Sequence, residues 1–507
     1  MKILKFILLF FPITTIGQQQ FEAVREKTKS DNNYEYIYGF ENGYAVFRTF
    51  NSKMGMIDST GNVIIKPVFN YIHNNKNLKK IFEVGNQTSK GYKRGFIDLQ
   101  GNIKIPIVYD DVFYLEEGLI RATINNKRGI LDTANKVILP NTFDDISMDN
   151  GILIAEEKGI YQLYDANGKK ITDSKFTDVS NFMYSKAIVS AQNTDNFVLD
   201  SKGKAVVAPI KNHTFEKILN GDLYLIRQNQ TLKKGIVDAS GHLKIDCRYD
   251  EIAQSGSVFI VEHLNRKGIV AANDALLKPI VYDDIFYYAV EDAVYMGGTT
   301  LGANYIARKD KLYGVINPFL QSDVLPFSYQ SIVAFQEKYY VARNTENKSG
   351  VFYKDGFKIT EEEYEFYNRF ENKIFASKDN KPYLITLKDT TFTEVKLPIE
   401  ALVQHTEALF DAIHPNQICK IQDKFGVVNI NGEIVVPCEY QKIENIFHSN
   451  QFIAMKNNKF GVINDHNKII LPIEYDDFKK LKEQIIFTKN KKTIKKYHPI
   501  SFRYKAY

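Results

Sequence analysis

Apolar and polar residues alternate along most of this chain in short runs broken by tight turns. The stretch from Gly118 to Asp145 shows the pattern. Leu119 to Ile124 reads as a strand, and Asn125-Asn126-Lys127 as a turn. Arg128 to Asp132 is a second strand, Thr133-Ala134-Asn135 a second turn, and Lys136 to Pro140 a third strand. Phe143-Asp144-Asp145-Ile146 then leads onward. Three strands of about five residues, joined by tight turns, make an antiparallel meander.

The meander recurs. An aromatic residue follows a glycine at a fixed interval in the pairs Gly55/Phe69, Gly95/Tyr109, Gly129/Phe143, Gly235/Tyr249, Gly268/Tyr282, Gly350/Tyr364, Gly426/Tyr440 and Gly461/Tyr475. Gln162/Phe176 keeps the interval without the glycine, while Gly314/Tyr329 and Phe197/Phe215 stretch it. Self-similarity at a fixed period marks a repeat architecture. The expected fold is therefore all-β: tandem short antiparallel meanders stacked in sequence as a curved solenoid. A β-propeller is the alternative, if the Tyr-Asp-Asp-Ile segment supplies a fourth strand to each unit.

Each recurring residue has an expected role. The turns Asp58-Ser-Thr-Gly61, Asp98-Leu-Gln-Gly101 and Asp238-Ala-Ser-Gly241 suit an Asp that bonds the backbone two residues on and a Gly with positive φ. A calcium loop would need alternating oxygen ligands and a later bidentate acid, and most units place the aromatic there. Glycine in mid-strand calls for something pressed against it, and the aromatic is the expected neighbour. Proline just before the aromatic should end the third strand or lie on an edge. The acidic pairs that follow, such as Asp110-Asp111 and Asp144-Asp145, read as solvated bends. Acid–base catalysis needs one such pair in a pocket, not a copy in many units.

The run Lys-x-Gly-x-Ile-Asp through Pro-x-x-Tyr-Asp-Asp-Ile resembles the WG-repeat family of bacterial proteins. The best matches are Lys93 to Val112 and Lys459 to Phe478, and the resemblance extends over about residues 38–488 in about twelve units. It implies a β-repeat fold and says little of function. The family's Trp position holds Met54, Arg94, Arg128, Lys234, Lys267, Tyr313, Ser349, Phe425 and Phe460, and the chain contains no Trp. A long basic stem can cover apolar surface while its charge reaches water.

Around this array the chain divides simply. Residues 1–17 read as a signal peptide: Lys2 and Lys5, a short apolar run from Phe6 to Ile13, then Thr15 and Gly17 before a cut at Gln18. The run is shorter than the ~20 apolar residues that span a bilayer, and no transmembrane segment is expected elsewhere. Residues 18–37 are read as a lead-in or cap, and 489–507 as a basic tail with six Lys, one Arg and no acid. The overall charge of +6 thus sits at the ends, which argues against a broad nucleic-acid surface. Cys247, Cys419 and Cys438 are too few for a disulfide framework. They read as three separate thiols, although Cys419 and Cys438 share a repeat.

Insertions interrupt the period at 286–310 and between Gly350 and Gly426, where a degenerate repeat falls near Lys381 to Ile413. There is no Gly-x-Ser-x-Gly, His-Glu-x-x-His or Cys-x-x-Cys, and no catalytic residue, metal ligand or cofactor is assigned. The expectation is an exported, non-enzymatic binding or scaffolding protein, periplasmic, at the cell surface or secreted, with a protein partner. One alternative is a binder of cell-envelope glycan through exposed rings, for which Tyr287, Tyr288, Tyr339 and Tyr340 are the candidates, with Tyr36 and Tyr38. The other is an enzyme with a site near the 286–310 insertion.

Overall fold

A computed structural model describes residues 34–497, except 75–77, 79–80, 193, 287–303, 337, 404–414, 447–448 and 482–483. Among the described residues there are strands and turns and no helix; forty-nine strands form twelve sheets. Most sheets are four-stranded antiparallel meanders in chain order, and a seven-stranded sheet runs two meanders together through Phe176–Val179. The chain forms two compact units, Met1–Arg248 and Tyr249–Tyr507.

The third sheet shows the build. Its strands are Asp111–Tyr114, Leu119–Ile124, Lys127–Asp132 and Val137–Phe143, here called a, b, c and d. Strand a is the Asp-Asp-Val segment that the sequence reads as a bend. It is the fourth strand that the propeller alternative required, and it opens the next sheet after the aromatic. The last strand, Lys492–Tyr497, lies within the stretch read as tail.

The c–d turn behaves as its residues predict. The Asp98 carboxylate accepts the N–H groups of Gln100 and Asn102 at 3.0 and 2.8 Å, and Gly101 has φ +81°. Asn429 does the same with Asn431 and Glu433. These oxygens are occupied by their own turn, as a structural turn requires.

The mid-strand glycine has a different neighbour from the one expected. The aromatic faces the residue before the glycine: Arg94 opposite Tyr109, Arg128 opposite Phe143, Phe460 opposite Tyr475. Strand d bulges in between, and the bulge folds over the glycine. A β-carbon at Gly95 would lie 2.4 Å from the Ile105 carbonyl oxygen, and one at Gly461 would lie 2.6 Å from that of Leu471. Strand d is an edge strand, so the prolines sit in its bulge without costing a ladder bond. Where the fourth strand pairs without a register shift, as Thr391–Lys396 does with Lys381–Lys388, the glycine is replaced by Tyr383. The meander with Gln162 pairs its next strand only at Tyr161 and Phe176.

Most cores lie between consecutive meanders. Phe96, Ile105 and Tyr109 of the second sheet pack on Val112, Ile120 and Leu131 of the third. In the other unit, Val427, Val436 and Tyr440 pack on Ile443, Phe452 and Ile463 of the sheet that follows.

Candidate functional site

The acidic pair after the aromatic is a fastener. Asp144 donates its N–H to the Glu156 carbonyl of the next meander at 2.8 Å. One carboxylate oxygen accepts the Lys158 N–H in that meander's b–c turn at 2.9 Å, and the other takes Lys127 from the meander before. Asp110 makes the same set with Thr123, Asn125 and Lys93, and Asp476 with Thr488, Asn490 and Lys459. Asn70 serves in the first such junction, with Lys53 at 3.1 Å and the Gln87 N–H at 3.2 Å. The lysine contact holds the Asp110, Asp144 and Asp476 carboxyls below the usual range, helped by the backbone donor. The bend expected here is thus corrected to a join into the next sheet: these three carboxylates stay partly exposed, and each is tied to a backbone N–H and a lysine.

The second acid meets the family's Trp position. Arg94 pairs with Asp111 at 3.1 Å, Arg128 with Asp145, and Lys267 with Asp284. The basic residues in place of Trp therefore have partners built into the next sheet. At this position Phe460 meets a ring instead, edge to face with Phe478 at a centroid distance of 5.0 Å.

The second and third sheets then depart from every other junction in one way. The b-strand residue opposite the position after the glycine is aliphatic in most meanders: Val46, Ile154, Leu225, Ile260, Ile418 and Ile453, all buried. In the second sheet it is Glu83, opposite Phe96, and in the third it is Arg121, opposite Ile130. Charges take positions that elsewhere close a core.

Around them a cluster forms. Tyr71, Gly85 and Arg94 lie side by side across three strands, and His73 lies opposite Glu83 on the first two of them. The Arg94 guanidinium lies 5.5 Å from the Tyr71 ring centre and 6.0 Å from that of Tyr92. It donates to Glu83 at 3.0 Å, and its Nε is buried without a hydrogen-bond partner. The Tyr92 ring covers Gly85, where a β-carbon would meet its hydroxyl at 2.5 Å. Burial raises the Glu83 carboxyl above its usual range, against the pull of Arg94 and of His73 at 3.8 Å. It raises the Tyr71 and Tyr92 phenols as well. In the next sheet, Arg121 lies 5.4 Å from the Phe113 ring, donates to the Ile146 carbonyl at 3.0 Å and stands 3.7 Å from Asp145. Phe113 is 55% exposed and Tyr92 37%. Two arginines are thus held between rings and carboxylates, with part of each of the Tyr92 and Phe113 rings in water.

The candidates read from sequence fare differently. Tyr339 and Tyr340 are each 2% exposed and belong to cores on opposite faces of their strand, so neither is an exposed platform. Tyr287, Tyr288 and most of the 286–310 insertion lie outside the described residues. At its described edges, Phe286 stacks on Tyr313 and the buried Tyr305 hydroxyl meets Ser255 at 3.1 Å. Tyr36 and Tyr38 are exposed, edge to face at 4.9 Å. Sequence reasoning missed Glu83 and Arg121; the signal was a charge in two successive b strands at an otherwise aliphatic position.

Comparison with known proteins agrees with this repeat. The model of the WG containing repeat matches residues 54–77, 95–127, 425–460 and 460–492. These regions are WG repeats. The matches fall in both units and include the stretch from Gly95 to Arg121. No curated protein matches the chain in sequence. Among solved structures, a eukaryotic initiation factor is 12% identical, over 64% of this chain and 86% of that one, with a TM-score of 0.25. The extracellular domain of a one component system from B. thetaiotaomicron is 8% identical, over 90% and 78%, with a TM-score of 0.23. PorZ, a surface component of the type-IX secretion system of Porphyromonas gingivalis, is 8% identical, over 90% and 79%, with a TM-score of 0.19. Scores this low carry nothing about function. Among the described residues no helix is long and apolar enough to cross a membrane.

Proposed function

We propose that this WG-repeat chain is an exported, non-enzymatic binding protein that takes a protein partner on the strip from Tyr71 to Asp145. The observation that carries the reading is the pair of charges Glu83 and Arg121, at positions that other meanders fill with aliphatic residues. Burying charge there costs stability, and a contact surface explains its retention. Arg and Tyr dominate the energetics of protein interfaces, because they combine wide contact area with directed donors. Export rests on the charged, apolar and small-residue order of Met1 to Gly17.

The test is a pull-down of mature protein from envelope extract, run beside a glycan array, with wild type and Arg121→Ile. That variant installs the side chain the other meanders carry. A specific protein captured by wild type and lost by the variant supports the reading. Capture unchanged by Arg121→Ile overturns the site. Binding on the glycan array alone, lost in Tyr71→Ala and Tyr92→Ala, makes the protein a glycan binder. Turnover of an envelope polymer by pure protein makes it an enzyme. N-terminal sequencing from the native host checks export: Gln18 is the expected first residue, and intact Met1 in the cytosol contradicts it.

A further inference from the structure

We propose that Cys419 and Cys438 are a dithiol site that closes to a disulfide across the central strand of its sheet. Cys419 lies on Asn416–Ile421 and Cys438 on Ile434–Tyr440, the two strands that flank Lys424–Asn429. Cys419 faces Gly426 directly. Cys438 sits in the bulge that folds over the same glycine, where a β-carbon would lie 2.7 Å from its sulfur. The absent side chain leaves one space, and both sulfurs enter it, 3.7 Å apart. Closing the pair shortens this to the ~2.0 Å of a bond.

Cys247 is an internal control. It holds the same place in its own repeat, two residues before the aromatic Tyr249, as Cys438 does before Tyr440. Its sulfur lies over Gly235 in the same pose, 2.7 Å from where a β-carbon would be. The residue facing Gly235 is Ile226. The bulge therefore aims this cysteine over the glycine whether or not a second thiol is present. Only the 419–438 repeat supplies that thiol.

The chemistry is exchange with a small disulfide such as oxidised glutathione. Cys438, half-buried, is the thiol a reagent reaches; Cys419 is fully buried. The Cys438 thiolate attacks one sulfur of the reagent, forms a mixed disulfide and releases one glutathione thiolate. Cys419 gives its proton to solvent and attacks the Cys438 sulfur, expelling the second glutathione. Two protein thiols are oxidised and one glutathione disulfide is reduced to two thiols. Burial raises both protein thiols, so the exchange speeds up as pH rises.

The experiment incubates folded full-length protein with oxidised glutathione at mildly alkaline pH, quenches with acid, unfolds it and alkylates free thiols before peptide mapping. A linked Cys419–Cys438 peptide, with Cys247 alkylated, is expected. Alkylation of all three cysteines, or a link to Cys247, overturns the proposal. In the second arm, Ile226→Cys rebuilds the geometry at Gly235. A new link between positions 226 and 247 in the folded variant supports the geometric account, and none in the folded variant overturns it.

Discussion

Asp144 concentrates the chemistry of the repeat in one side chain. It accepts a backbone N–H from the meander ahead and a lysine from the one behind. Asn70 does the same with an amide oxygen. Asp144→Asn should therefore lower Tm only slightly, and Asp144→Ala clearly more. Because the folded carboxyl is held low, its contribution is present above the unfolded carboxylate range of about pH 4 and disappears as pH falls through the folded value. The Tm gap between wild type and Asp144→Ala should close in acid; a gap that persists at pH ~2 contradicts the assignment. Glu83 has the opposite sign, since burial raises it. It favours the folded state below about pH 4 and loses that contribution as pH rises through the raised folded value. Relative to Glu83→Gln, wild type should lose stability on going from acid to neutral pH, and thermal melts of the two across that range read the sign. Neither residue was legible as such in the sequence. An Asp–Asp pair looks the same whether it is solvated or clamped, and Glu83 stands out only once the strands are in register.

At the scale of the element, the bulge decides what the repeat must conserve. Strand d carries extra residues opposite the glycine, and its backbone lies where a side chain would be. Gly95→Ala should cost about 3 kcal/mol or more in urea unfolding, the upper end for forcing atoms into a packed site, because backbone rather than a flexible side chain must move. Gly159→Ala, at positive φ with open space around it, should cost about 1–2 kcal/mol from the left-handed backbone alone. Equal costs at the two sites would mean the bulge does not press on Gly95. The turns and the glycines were legible because each demands one residue type. Strand a was legible only as an alternative, because four residues such as Asp111–Tyr114 are shorter than the alternation that marks a strand. Tyr339 and Tyr340 misled for a related reason. Adjacent rings look like a platform, but Tyr339–Arg343 is covered on both faces by consecutive cores.

Within each unit, most apolar cores join a meander to the next in sequence, and the Asp fasteners at Asp110 and Asp144 span the same junctions. Stability in such an array is the sum of local terms and neighbour terms. This also frees single positions: Glu83 and Arg121 can carry charge while the remaining junctions keep aliphatic residues. Hydrogen exchange read by mass spectrometry on Asp144→Ala tests that nearest-neighbour account most directly. The account predicts lost protection in peptides covering strand Val137–Phe143 and the Glu156-to-Gly159 turn, with strands His213–Leu219 and Leu223–Gln228 of a later sheet in the same unit unchanged. Equal loss of protection across both sheets would contradict it.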